Sequence, residues 1–125
     1  MTLPVLTNQE FYAMASPRPR EFILKDQMTG IMEWRKFFNT KEGWERSELH
    51  RLDGPAKIDK HGSETWYNKG YLHRIGGPAH INRCNDEQEW WIMGQEILNY
   101  EMYQKLTRCS DEEILLLKLK WGEIK

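Results

Sequence analysis

The stretch from His50 to Gly70 is written a second time, with small changes, from His73 to Gly94. His-Arg-Leu-Asp-Gly-Pro-Ala-Lys-Ile (50–58) matches His-Arg-Ile-Gly-Gly-Pro-Ala-His-Ile (73–81) at an offset of 23. One extra residue near Cys84 and Asn85 moves the offset to 24, so Trp66 meets Trp90, Tyr67 meets Trp91 and Gly70 meets Gly94. A period in the twenties marks stacked supersecondary units, none of which can bury its apolar face alone. A His or Trp that recurs at a fixed repeat position is therefore first a structural part.

Size and charge narrow the classes. A chain of 125 residues makes one domain with a modest core. With 18 basic against 19 acidic side chains, no global field draws it to nucleic acid or to an anionic membrane. No apolar run approaches the ~20 residues that span a bilayer, and residues 1–16 lack the charged and apolar regions of a secretion signal. The expectation is a cytoplasmic protein with no membrane partner. Cys84 and Cys109 fit a compartment where thiols stay free, with no framework spacing behind a disulfide. Six tryptophans supply large buried area per residue, which is how so charge-rich a chain builds a core.

The local signals alternate turns with short strands. Thr7-Asn8-Gln9-Glu10 is a capping box, with Leu6 as its staple, that opens a short helix through Phe11 to Ala15 before Pro17 and Pro19 stop it. Glu21 to Lys25 and Ile31 to Phe38 read as strands around a Gln-Met-Thr-Gly turn, with Ile23, Met32 and Trp34 on the inner face. Residues 39–43 form a polar turn, and Trp44 to Leu49 a third strand. In each repeat, Gly54-Pro55 or Gly77-Pro78 turns the chain into a short strand, and a polar loop returns it. The last quarter is helical: Tyr100, Tyr103 and Leu106 share one helical spacing. Ser110 opens a second helix whose Ile114, Leu117 and Trp121 form a stripe, widened by Leu115, Leu116 and Leu119, with Gly122 as its C-cap. The fold class is thus α+β: an antiparallel β-meander of repeated hairpins with a short N-terminal helix and two C-terminal helices. Its units are about 50–72 and 73–98, a decayed unit about 21–49, and a helical cap 99–122.

The pattern His-Arg-x-x-Gly-Pro-Ala-x-Ile, then Trp-x-x-x-Gly, resembles short hairpin repeats of bacteriophage and large-DNA-virus proteins, similar in turn to MORN-type β-hairpin repeats. Eight identical positions recur in order across two copies. In the decayed earlier copy Trp44 precedes His50-Arg51 much as Trp66 precedes His73-Arg74. Residues 91–97, followed by a helix, resemble the terminal unit of such proteins. The chain departs at Gly76, where the first copy has Asp53. The resemblance implies a β-meander and a viral origin, and no enzymatic activity, because the repeats are a scaffold.

Catalytic, metal and cofactor motifs are not legible in the sequence. His50, His61, His73 and His80 lack the paired spacing of zinc ligands, Gly76-Gly77-Pro78 lacks the Lys and helix of a phosphate loop, and neither Cys has a base beside it. The expectation is that each repeat His bonds a turn carbonyl while Arg51 or Arg74 pairs with a carboxylate. Basic residues interleaved with aromatics would suit single-stranded nucleic acid, but acids run through the same strands and turns and argue against it. A pocket for a small anionic nucleotide is the second reading, with His50, Arg51, Trp66, Tyr67, His73 and Arg74 as guanidinium forks and stacking rings. The first reading is a non-catalytic binder that inhibits or redirects a host protein. Its contacts would be the non-repeated segments: Arg35 and Lys36 in the turn leading to Glu42, and Arg83, Asn85, Asp86 and Glu87 in the loop that breaks the repeat. The leucine-rich last helix caps the stack, and part of its face is available for a homodimer.

Overall fold

A computed structural model describes residues 3–14, 19–39 and 45–124. In chain order the elements are β1 (Val5–Thr7), α1 (Asn8–Ala13), β2 (Glu21–Lys25), β3 (Met32–Asn39), β4 (Glu45–Leu49), β5 (Lys57–Ile58), β6 (Glu64–Thr65), β7 (Tyr67–Asn68), β8 (Tyr71–Leu72), β9 (His80–Ile81), β10 (Gln88–Ile92), β11 (Gln95–Ile97), α2 (Tyr100–Thr107) and α3 (Asp111–Trp121). The architecture is the α+β one expected, a mostly antiparallel sheet of hairpin strands with one N-terminal and two C-terminal helices. The main sheet runs β1-β2-β3-β5-β6-β9-β10-β11, with β4 also on β3 and β7-β8 as a separate ribbon.

One pairing breaks the antiparallel meander. β1 lies parallel to β2, with Val5 opposite Ile23. The chain between them includes α1 and returns it to the starting end, the connection a parallel pair requires. α1 starts where the capping box places it: Thr7 Oγ1 accepts from the Glu10 N–H, and Glu10 Oε1 accepts from the Thr7 N–H. Its Phe11 stacks on Phe22 and Phe37 at centroid distances of 5.1 and 5.9 Å, closing a small core with Leu6. This corrects the expected inner face. Phe22 is fully buried under α1, whereas Ile23, Met32 and Trp34 lie half-buried. Strand alternation puts Ile23 and Trp34, which pair directly, on the face opposite Phe22.

β3 is long because its edge away from β2 serves two neighbours. Its Arg35–Asn39 half pairs with β4, and its Met32–Glu33 end pairs with β5, where the repeats begin. From there the hydrogen bonds recur unit by unit. The Trp34 N–H donates to the Ala56 carbonyl at 2.7 Å, as the Trp66 N–H does to Ala79 at 2.6 Å. The Trp34 carbonyl accepts from the His50 N–H, as that of Trp66 does from His73. Trp34 thus holds the repeat position expected of Trp44; Trp44 itself and residues 40–43 lie outside the described residues.

The helical layer ends the stack. Asn99 caps α2 by accepting from the Met102 N–H, Ser110 caps α3 through the Glu113 N–H, and Gly122 closes α3 at φ +77°. Tyr100 and Tyr103 meet the Trp90 ring edge-on, both at 5.5 Å, and Ile97, Ile114, Leu117 and Trp121 fill in around them. Trp90 and Trp66, expected to be equivalent, differ in surroundings: Trp90 is 3% exposed in this core, whereas Trp66 is half-buried. Both cysteines are free thiols.

Candidate binding site

The conspicuous repeat residues fasten the units together. At Lys69-Gly70 and Met93-Gly94 the chain reverses through two successive positive-φ residues (49° and 82°, 44° and 81°), the tight hairpin turn whose twist suits paired strands. The first N–H of each turn is bonded by a histidine: Lys69 N–H donates to His50 Nδ1 and Met93 N–H to His73 Nδ1, both at 3.0 Å. An accepting Nδ1 carries no proton, so the neutral ring keeps its hydrogen on Nε2. The expected histidine-to-carbonyl bond is replaced by this acceptor role. Burial holds the His73 imidazole below its ordinary value, which favours the same neutral form.

The adjoining arginines act within the same units. Arg51 lies over the Trp34 ring at 4.2 Å and Arg74 over Trp66 at 4.0 Å. Each donates from Nη1 to a proline carbonyl, Pro55 at 3.2 Å and Pro78 at 3.1 Å. The invariant glycine of the turn makes room for them: a Cβ on Gly54 would lie 2.6 Å from Arg51 Cζ, and one on Gly77 would lie 2.8 Å from Arg74 Cζ. Arg51 also pairs with Asp53 at 3.1 Å, as expected, but Arg74 has Gly76 in the corresponding place.

That departure from the repeat has a structural reason. Gly76, at φ +92°, donates its N–H to Tyr103 Oη at 2.9 Å and accepts at its carbonyl from Trp121 Nε1 at 3.0 Å. Both helices of the cap are therefore bolted to one glycine of the second unit. Burial pushes the Tyr103 phenol up, keeping it neutral and able to accept that bond. The six residues read as an anion pocket sit in series along the stack. Tyr67 joins them through its carbonyl, which accepts from the Arg51 N–H at 3.1 Å.

The residues expected on the non-repeated segments divide. Arg35 is half-buried in the sheet, with Nε on Ser47 Oγ at 2.9 Å and Nη1 on Glu33 at 3.0 Å, and Lys36 stands opposite Glu48. Arg83 reaches back across the sheet to Glu64 at 2.7 Å. Asn85, Asp86 and Glu87 stay exposed on a loop closed by the Asn82 N–H to Glu87 carbonyl bond at 2.9 Å. Asn85 Oδ1 accepts from the Glu87 N–H and Asp86 takes φ +59°, so the loop tip is shaped by its own residues. β3 and β10 are four strand positions apart in the sheet order, about 19 Å at the usual spacing. Arg35 and Lys36 are not part of the same surface as that loop.

Asn85, Asp86 and Glu87 form one wall of a cleft of about 630 Å³ whose other residues are Gln88, Glu89, Trp90, Trp121 and Glu123. Four carboxylates and Trp121 thus line one concavity between the repeat-breaking loop and the end of α3, while the Trp90 ring, 3% exposed, is turned into the core. The sequence singles out the loop but not Glu89, two residues on in β10, nor Trp121 and Glu123, which reach the site because the Gly76 contacts hold the helical cap in place. Among the described residues no three His, Cys, Asp or Glu side chains gather as a metal-binding group, and no helix is long and apolar enough to cross a membrane. No family model, curated protein or solved structure matches this chain.

Proposed function

We propose that this chain is a non-catalytic binding protein that takes a basic segment of a partner protein into the cleft beside β10. The observation that carries the reading is the cleft's lining: Asp86, Glu87, Glu89 and Glu123 beside Trp121, with the Trp90 ring almost wholly buried. Carboxylates at a concave, partly apolar surface attract Lys and Arg side chains, and an indole offers them its π-face or its apolar flank. The chain itself sets a guanidinium over an indole at Arg51 on Trp34 and at Arg74 on Trp66, and Arg74 also lies 5.2 Å from the Trp121 ring. The repeats supply a rigid frame, and the loop that departs from them supplies the recognition surface. The resemblance to phage hairpin repeats makes the partner a host protein, and the protein an antagonist of host defence or host machinery acting in the host cytoplasm.

For the nucleotide reading, Arg51 and Arg74 would have to leave their stacked rings and proline carbonyls, and the Asp53 carboxylate beside Arg51 would repel an anion. For single-stranded nucleic acid, the basic side chains of β3 face Glu33 and Glu48 at close range. The test is affinity capture from host lysate with the intact protein and with Glu87→Lys/Glu89→Lys. The intact protein is expected to retain one protein in near-stoichiometric amount, and the charge-reversed variant to lose it while melting at the same temperature. Stoichiometric nucleic acid in place of protein, equal retention by both forms, or a melting curve shifted by nucleotides would overturn the proposal.

A further inference from the structure

α3 is apolar on two opposite sides. Ile114, Leu117 and Trp121 are docked on the core. Leu115, Leu116 and Leu119 are 59%, 64% and 75% exposed. At about 100° per residue these two groups point in opposite directions from the helix axis. An isolated exposed leucine means little, but three on one face across two turns form a patch of the kind that marks an interface.

The charges beside that patch say what covers it. Asp111 and Lys118 are seven residues apart and flank it on one side; Glu113 and Lys120 are seven residues apart and flank it on the other; Glu112 stands at the helix start on the leucine face itself, one turn before Leu115 and Leu116. Each flank therefore carries an acid near the helix start and a base about 10 Å further on, two helical turns. Laid parallel on a second copy, this helix would set like charge against like. Laid antiparallel, with the two-fold axis passing between Leu115 and Leu116, each acid meets the partner copy's base on the same flank. An isologous interface requires this self-complementarity, and an unrelated partner does not. Among the described residues neither Lys118, Lys120 nor Glu113 forms an ion pair within its own chain; the two ammonium groups lie over Tyr100 and Trp121 at 5.7 and 5.3 Å.

We infer that two copies of this chain associate through antiparallel α3 helices, burying Leu115, Leu116 and Leu119 of each between flanking Asp111–Lys118 and Glu113–Lys120 pairs. The eleven-residue helix is about 16 Å long, so the contact is small and the association is weak, micromolar rather than nanomolar. Trp121 points away from the leucine face, so both acidic clefts stay open and the dimer is bivalent. A partner carrying two basic segments would then be held more tightly than either cleft alone holds it. The inference does not depend on the cleft reading, since it rests on α3 alone.

Sedimentation velocity of the full chain over a range of concentrations tests it. The expected result is a monomer at low concentration that passes to a dimer by about 1 mM. Leu116→Glu/Leu119→Glu stays monomeric throughout, with unchanged circular dichroism and melting temperature, because these side chains are exposed in the monomer. Lys118→Glu/Lys120→Glu and Asp111→Lys/Glu113→Lys each self-associate less than the parent, and an equimolar mixture of the two regains a dimer. Added salt weakens the parent dimer, since opposite charges face each other. A parent that is monomeric at every concentration would overturn the inference. So would a dimer indifferent to the leucine substitutions, two folded charge variants that fail to associate when mixed, or association tightened by salt.

Discussion

Replacing Gly77 with Ala adds one methyl group to a turn whose φ is not left-handed, so the backbone itself tolerates the change. The cost comes from where the methyl lands: 2.8 Å from Arg74 Cζ and 3.0 Å from its Nε and Nη1. A guanidinium at the end of a flexible side chain normally steps aside, but this one is held on two sides. It stacks over Trp66 at 4.0 Å and donates to the Pro78 carbonyl at 3.1 Å. A stack of this kind is worth about 0.5–2 kcal/mol and a charged hydrogen bond about 1.5–3 kcal/mol. Displacing the side chain from both should cost about 2–4 kcal/mol, or a fall in melting temperature of about 10 °C for a domain of this size. Urea titration of Gly77→Ala, Arg74→Ala and the double variant measures it. Arg74→Ala removes the same contacts, so the double variant should be barely less stable than Arg74→Ala alone, with a coupling close to the whole Gly77→Ala cost. Additive losses, or a Gly77→Ala variant within about 0.5 kcal/mol of the parent, would refute the claim that glycine is there to admit the guanidinium.

Other outcomes follow from the same contacts. Tyr103→Phe leaves the Gly76 N–H without its acceptor and should lower stability by about 1–3 kcal/mol in denaturant titration, with α2 and α3 losing amide-exchange protection first. Trp90→Ala empties the core that the two tyrosines line and should cost about 3–5 kcal/mol by the same measurement; Trp66→Ala should cost less, since that ring is half-exposed. His73 has its imidazole pKa depressed by burial, so the unfolded chain binds the proton more readily than the folded one. Its contribution is complete above the ordinary value near 6.5 and declines as pH falls below it. The melting temperature should drop on acidification through that range, and His73→Asn should flatten the slope.

Much of this fold could be read in the chain because its signals are local. Thr7-x-x-Glu10, Asn99 and Ser110 are caps whose bonds lie within three residues, and the Gly-Pro and Lys-Gly turns fix hairpins over similarly short spans. What escaped were facts of long range. Trp34 stands seventeen residues before its arginine, where Trp66 stands eight before its own; the chain that forms β4 is inserted between, and it hid the first repeat. β1 pairs parallel with a strand beyond α1, which no alternation pattern reveals. In β2 and β3 both faces are apolar, so periodicity alone left open which one α1 would cover, and Phe22 rather than Ile23 lies beneath it. Gly76 was visible as a departure from the repeat, but its purpose lay 27 and 45 residues away, in Tyr103 and Trp121. The candidate site was half legible for the same reason. Asn85, Asp86 and Glu87 break the repeat and so stand out, and Glu89 lies beside them in β10, while Trp121 and Glu123 join them only when the cap docks.

The recurring histidines and arginines hold the hairpin units together, and under the proposed function they leave recognition to the segments that depart from the repeat. Nitrogen-15 NMR of the imidazoles, with scalar couplings read across hydrogen bonds, tests this most directly. His50 and His73 should both carry their proton on Nε2, with Nδ1 coupled to the amides of Lys69 and Met93 respectively. Rings that average between tautomers, or an Nδ1 that carries the proton and shows no coupling to those amides, would contradict it.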